Sequence, residues 1–294
     1  MPNLKDIRNR IDSVKNTQKI TKALKMVSAA KLRRAQQNIT SLRPYAKGLL
    51  TVIADIAATH RIEHPLLAQP EGGDQKKNVL LVVLTSDRGL CGGFNSSVIK
   101  YTQKYLDNNN AETEKLDVLF IGKKGADFFK RRDLKGVKTI TNLEKDISYD
   151  MAADIASDLI EHFETGDYDE IRLVYNEFKS AIQQDVTIET LLPVDVSSAS
   201  LSEESSFSTD LIFEPSPEKI IDEMLEKHFA VQVYRCMSES LASEHGARMS
   251  AMENATNNAS DMIRNLTLTY NKLRQASITT ELIEITSGAE ALNG

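Results

Sequence analysis

The chain has 294 residues, 41% of them hydrophobic and 27% charged, with a net charge of −6; it is too apolar to be disordered and long enough for about two domains. Two cysteines cannot build a disulfide framework, and five scattered histidines without a C-x-x-C arrangement argue against a zinc site. The longest apolar run, Val79 to Leu84, falls far short of the roughly 20 residues that a membrane helix needs. Charge is segregated: the first fifty residues carry twelve basic and two acidic side chains, and the rest of the chain 24 and 40. A merely solvated face would intersperse both signs, so this basic stretch points to an anionic partner, either nucleic acid or an acidic protein surface.

Taken in chain order, Leu4, Ile7, Ile11 and Val14 are spaced 3, 4, 3, the seam of a coiled coil. The polar residues 16–19 interrupt that seam, and Ile20, Leu24 and Val27 are expected to resume the apolar face. Helix is predicted over residues 3–58, with Pro44 expected to kink or end it because proline lacks an N–H and crowds the preceding turn. Without a break it would extend about 84 Å at 1.5 Å per residue. The N-terminal residues lack the apolar core of a signal peptide and read as helix, so no targeting segment is expected. Residues 1–60 are therefore assigned as an N-terminal coiled-coil helix.

The texture changes after the glycine-rich linker 72–77. Residues 78–86, 117–121 and 170–176 are short apolar, β-rich runs, as expected of strands covered on both faces. Helical stretches at 95–106, 125–131 and 149–163 separate them, so βαβ units and a mostly parallel, Rossmann-like sheet are predicted over residues 75–195. Residues 137–140 and 186–192 are further strand candidates, the latter antiparallel at an edge. Residues 196–214, rich in Ser and Glu, read as a mobile loop. Pro215 and Pro217 then punctuate the start of a second long helix, with Ser216 as N-cap and Glu218 in the first turn. Over residues 215–294 the heptad rows predicted are Met252, Ala259, Leu266, Leu273 and Ala255, Met262, Thr269, Ala276. Two long helices at opposite ends of one chain, each with a heptad seam, pair most simply as an antiparallel coiled coil. The fold class is thus α/β: a terminal coiled coil plus a central Rossmann-like domain.

Candidate chemistry is sparse. The turn Thr85-Ser86-Asp87-Arg88-Gly89-Leu90-Cys91-Gly92-Gly93-Phe94-Asn95 follows a strand and precedes a helix, where phosphates are held in nucleotide-binding folds, yet it fits neither G-x-G-x-x-G nor the P-loop. Gly122-Lys123-Lys124-Gly125 also fails the P-loop pattern. Both read as tight structural turns. Cys91 has no histidine near it in sequence, Asp87–Arg88 reads as an ion pair, and His60 and His64 sit at a helix end before Pro65, where solvated side chains are expected. Lys22, Lys25, Lys31, Arg33 and Arg34 make up the heart of the basic stripe. Phosphate contacts would suit them. No aromatic precedes Tyr45 to stack on bases, however, and an acidic protein surface explains the stripe at least as well.

These residues resemble a known family. Lys5-Asp6-Ile7-Arg8, the run from Asn16 to Val27, Arg43-Pro44-Tyr45 and the turn Asp87-Arg88-Gly89-Leu90-Cys91-Gly92-Gly93 are similar to the gamma subunit of F-type ATP synthase. So are Leu241-Ala242-Ser243-Glu244, Arg248-Met249, Tyr270-Asn271-Lys272, the run from Arg274 to Thr279, and the tail Glu281-Leu282, Glu284-Ile285 and Ser287-Gly288. The resemblance runs from end to end, dense in the terminal helices and thin between about residues 95 and 240. It implies a non-catalytic rotor shaft that couples proton flow through a membrane ring to ATP synthesis at other subunits, with no cofactor or metal of its own. The implied partners are three alpha and three beta subunits, the epsilon subunit and the ring of c subunits; no nucleic acid and no membrane span are implied. By the family pattern Leu24, Lys25, Arg248, Gln275, Thr279 and Glu281 meet the surrounding subunits, with torque contacts around Arg274 to Glu281, and the stripe residues Lys22 and Arg33 face an acidic loop of beta. Position 24 is Leu where Met is frequent, a volume-conserving exchange. The implied place is the cytoplasmic face of a bacterial plasma membrane. A static coiled-coil scaffold and a nucleotide-binding enzyme are the competing readings.

Overall fold

The structure, a computed structural model, describes residues 4–60, 62–67, 76–109, 113–141, 147–196, 213–214 and 216–293. Most of the loop expected at 196–214, and linker residues 72–75, lie outside the described residues. The element order is α1 (Leu4–His60), β1 (Asn78–Leu84), α2 (Phe94–Asn109), β2 (Lys115–Ile121), α3 (Lys123–Lys130), β3 (Lys138–Ile140), α4 (Tyr149–Glu164), β4 (Glu170–Phe178), β5 (Gln184–Leu192) and α5 (Pro217–Asn293). No helix among the described residues is long and apolar enough to cross a membrane.

The chain forms two compact units, Met1–Ser28 with Met249–Gly294, and Ala29–Arg248. The second holds a five-stranded sheet in the order β3-β2-β1-β4-β5. The first four strands run parallel and β5 pairs antiparallel with β4, as the sequence pattern predicts. Central β1 is apolar without alternation because each of its faces meets a core. Leu80, Val82 and Leu84 pack with residues of α1, α4 and α5, whereas Leu81 and Val83 pack with Val98, Ile99 and Phe129 of α2 and α3. Ser148 caps α4 by accepting from the Met151 N–H at 3.2 Å. The expected cap at Ser216 accepts from Lys219 N at 3.4 Å.

Helix α1 does not end at Pro44. The proline ring lies on the exposed side, while Ile39 and Ala46 on the seam are buried, so packing of the apolar face carries the helix through a position that has lost one backbone bond.

In the first unit the seam differs from the expectation. Residues 18, 21, 25 and 28 follow Leu4, Ile7, Ile11 and Val14 at unbroken 3-4 spacing, and Thr21 and Ser28 are buried. The polar patch is part of the seam. Ile20 and Val27, expected to resume the apolar face, are 61% and 54% exposed, and Leu24 is half-buried. On α5 the row Met252, Ala259, Leu266, Leu273 is as predicted, with Met252 and Ala259 buried and the two leucines half-buried. The companion row is one residue further on: Thr256, Ile263, Tyr270 and Ser277 are half-buried, whereas Met262 of the expected row is 47% exposed. The alternatives differ only in whether a spacing of 3 or 4 comes first. The chosen one turns Ile263 and Tyr270 inward and brings Thr256 opposite Thr21.

Candidate functional site: the helix pair and a closed crevice

Within the first unit the helices are joined by a ladder of polar contacts. Gln18 Nε2 donates to Ser260 Oγ at 2.7 Å, the hydroxyls of Thr21 and Thr256 lie 2.8 Å apart, and Lys25 Nζ lies 2.6 Å from Glu253 Oε1. Numbers rise on α1 as they fall on α5, so the pairing is antiparallel. Polar groups at seam positions cost stability compared with leucine, but each has its best partner in only one alignment, so they fix register. Ile20 and Val27 stand exposed away from the seam, while Lys22 and the exposed Met26 border the groove between the helices beside Gln18, Lys25 and Glu253, faces that composition alone did not separate.

In the second unit the glycine-rich turn stands where an open α/β sheet would hold a ligand, beyond the C-terminal ends of β1 and β4, between which the strand order reverses. Its polar groups are engaged by the protein itself. Thr85 Oγ1 accepts from Gly125 N at 2.9 Å, and Asn95 Oδ1 accepts from Ser86 N at 2.9 Å while its Nδ2 donates to Ser86 Oγ at 2.7 Å. Asp87 Oδ1 accepts from Lys123 N, at the start of α3. At the end of β4, Asn176 donates to the Phe94 carbonyl and its own carbonyl accepts from Ser243 Oγ of α5 at 3.0 Å. The cavity left between strand ends and α5, beside Thr85, Met237, Ser240 and Glu244, is ≈ 20 Å³, whereas a small-molecule site needs roughly 300 Å³ or more. Gly122 is required here: its φ is +101°, and a Cβ would lie 2.0 Å from the Thr85 carbonyl oxygen. Burial pushes the Cys91 thiol upward, so it stays protonated and is no nucleophile.

Arg248 lashes this turn to α5. It lies 2.7 Å from Glu244, donates to the Gly89 carbonyl at 3.2 Å, and sits 3.4 Å from His245 Nδ1. Burial raises the Glu244 carboxyl above its ordinary range, against the pull of Arg248. Burial, with Arg248 and Lys31 nearby, depresses His245 to about 4, so the ring is neutral. His60 and His64 do not converge on a metal. His60 is exposed and packs edge-on to Phe213, while His64 lies 3.1 Å from Asp222, so only one of the two is the solvated terminus expected. Among the described residues no metal-ligating cluster exists.

A family model described as ATP synthase matches residues 3–292. The chain is 61% identical to the ATP synthase gamma chain of Bdellovibrio bacteriovorus over the whole of both chains, and 46% identical to that of Geotalea uraniireducens, again over both whole chains. The chain belongs to the ATP synthase gamma chain family. Among solved structures it is similar to a central stalk and c-ring structure of Tetrahymena thermophila mitochondrial ATP synthase, at 31% identity and TM-score 0.61 over 80% of this chain and 99% of that one. A Euglena gracilis mitochondrial ATP synthase structure shares the fold at 23% identity and TM-score 0.67, covering 98% and 94% of the two chains.

The residues expected from the gamma-family pattern fall into two groups. Lys22, Arg33, Arg274, Gln275, Thr279 and Glu281 are exposed. Of these, Thr279 donates to the Gln275 carbonyl and Glu281 accepts from Ser277, contacts local to α5 that leave its outer face open. Leu24 and Lys25 are half-buried, and Arg248 is turned inward with only 12% of its side chain exposed. That Arg248 holds the glycine-rich turn was not legible in the local pattern, because Gly89 lies 159 residues away.

Proposed function

We propose that this chain is the central rotor shaft of an F-type ATP synthase, a non-catalytic subunit that couples ion flow through the membrane ring to ATP synthesis or hydrolysis at the beta subunits. The helical segments 1–60 and 215–294 form the shaft, and residues 75–195 form the foot. Three alpha and three beta subunits surround the shaft, and the epsilon subunit and the c ring bind the foot on the cytoplasmic face of a bacterial plasma membrane. The observation that carries the reading is the antiparallel pairing of two terminal helices from a chain in which one of those helices closes the crevice at the strand ends. Such a chain transmits force and does no chemistry.

The electrostatics suit this role. Exposed cations at Lys22 and Arg33 attract acidic loops on the surrounding subunits, and such contacts are weak enough individually to exchange as the shaft turns. Leu24 and Lys25 flank them, Arg274, Gln275, Thr279 and Glu281 supply contacts higher on α5, and Arg248 fixes the turn below. The test is replacement of the gamma subunit in an ATP synthase lacking its own, with rotation followed by a bead on the foot. Stepwise rotation with restored ATP-driven proton pumping is expected. Assembly without rotation would make the chain a static scaffold, and ATP turnover by the purified chain alone would revive the enzyme reading.

A further inference from the structure

Inside the second unit lies a chain of charged side chains that neither the crevice nor the partner-facing surface uses. Arg235 of α5, 15% exposed, places Nη2 2.5 and 2.6 Å from the two carboxylate oxygens of Glu189 on β5. Tyr175 of β4 donates to the same carboxylate at 3.0 Å and accepts from Arg235 Nη1 at 3.3 Å. One turn along α5, Glu239, 1% exposed, lies 3.5 Å from Arg235 Nη1 and 3.2 Å from Arg43 of α1. Arg43 reaches on to the Phe178 carbonyl at the end of β4, at 3.4 Å. One continuous run of contacts thus ties both long helices to two strands of the sheet.

The surrounding contact between helices and sheet is apolar, with Leu225, Phe229 and Val233 of α5 in the same core as Leu173 and Leu192 of the sheet. Apolar contact is non-directional and resists twist about a helix axis weakly. Arg235 Nη2 reaches both oxygens of Glu189 while Nε donates to Gln232 and Nη1 to Tyr175, and such charge-assisted bonds are directional and fix orientation. Buried ion pairs add little net stability over well-packed apolar residues, so stability alone does not account for this one.

We propose that Arg235 and Glu189, supported by Tyr175, Glu239 and Arg43, are positioning residues that stiffen the joint between foot and shaft and so carry torque across it. This rests on the rotor reading and adds the residues through which the rotor acts. The experiment uses the complete enzyme in proteoliposomes, with the wild-type chain beside an Arg235→Met/Glu189→Leu variant that removes both charges at similar volume. The expected result is a modestly lower melting temperature, because buried Glu239 loses Arg235 but keeps Arg43, with unchanged ATP hydrolysis without a gradient, but broader angular fluctuations of a foot-bound bead and loss of ATP-driven pumping against a proton gradient. Glu189→Gln, which keeps the shape and one acceptor, is measured in parallel and serves if the double variant fails to assemble; it should broaden the fluctuations to a lesser degree. Fluctuations and pumping equal to wild type in whichever variant assembles would overturn the proposal. Failure of the wild-type chain itself to rotate would instead overturn the rotor reading.

Discussion

Replacing Arg248 with alanine removes three contacts at once, and their sizes follow from burial. The Arg248 and Glu244 side chains are 12% and 16% exposed, so truncating one leaves a poorly solvated carboxylate without its counter-charge. Breaking such a pair costs about 3 kcal/mol. The Gly89 carbonyl loses its donor for about 1 kcal/mol more. Adding Glu244→Gln removes the stranded charge, so the double variant should recover about 2 kcal/mol of the deficit. The pH dependence has a definite sign. Glu244 is already raised above the unfolded carboxyl value of 4.5, and losing Arg248 raises it further, so the stability it supplies is present at low pH and lost as pH rises through the folded value. His245 is depressed to about 4 from 6.5, so its contribution is present above 6.5 and lost as pH falls toward 4; without Arg248 that loss is smaller than in wild type. Both effects shrink the Arg248→Ala deficit between about pH 7 and about pH 5. Urea unfolding of the purified chain, followed by circular dichroism at the two pH values, measures this. A deficit that is absent, or that neither pH nor Glu244→Gln alters, would refute the argument.

Gly122→Ala should lower stability by about 3 kcal/mol or more, because it combines a strained φ with a backbone clash at Thr85. Gly166→Ala, with φ +76° and open space around the Cβ, should cost only about 1 kcal/mol; melting temperatures compare the two. Lys22→Glu with Arg33→Glu should leave the melting temperature unchanged while lowering coupled ATP synthesis, with the wild-type contact weakening as salt rises. Synthesis that is unaffected would remove these two cations from the partner surface. Deleting residues 287–294 should leave assembly and synthesis largely intact, whereas deletion from Arg274 onward should cost both, because the torque contacts expected at Arg274, Gln275, Thr279 and Glu281 lie in the longer segment and the exposed apolar tip adds only non-directional contact. Equal and total loss from the short deletion would mean that the extreme tip anchors the shaft.

The closed crevice explains how a Rossmann-like sheet serves a mechanical role. The strand order retains the switch point at which such sheets bind ligands, but Ser243 and Arg248 of α5 engage Asn176 and Gly89 there. The backbone carbonyls at this end of the sheet position a helix instead. A serine and an arginine on a helix carry no signature of this use, because the same residues at the same spacing would serve equally well on a solvated face.

By itself the sequence determined the elements and their order. Hydropathy periodicity is a local property, so the strands, the intervening helices, the antiparallel edge strand and the two long terminal helices were all legible within a few residues of their ends. Motif resemblance, also written in local runs, was enough to point to the family. Tertiary structure decided what depends on distant partners. Whether Gln18 and Thr21 interrupt the seam or belong to it turns on Ser260 and Thr256, some 240 residues away. The order of 3 and 4 in the α5 heptads, the continuation of α1 past Pro44, the inward turn of Arg248, and the ion-pair run from Arg43 to Glu189 were settled in the same way. Periodicity states which residues share a face. Only the pairing of faces states whether a polar side chain on one of them finds a partner, and that pairing decides which face is buried.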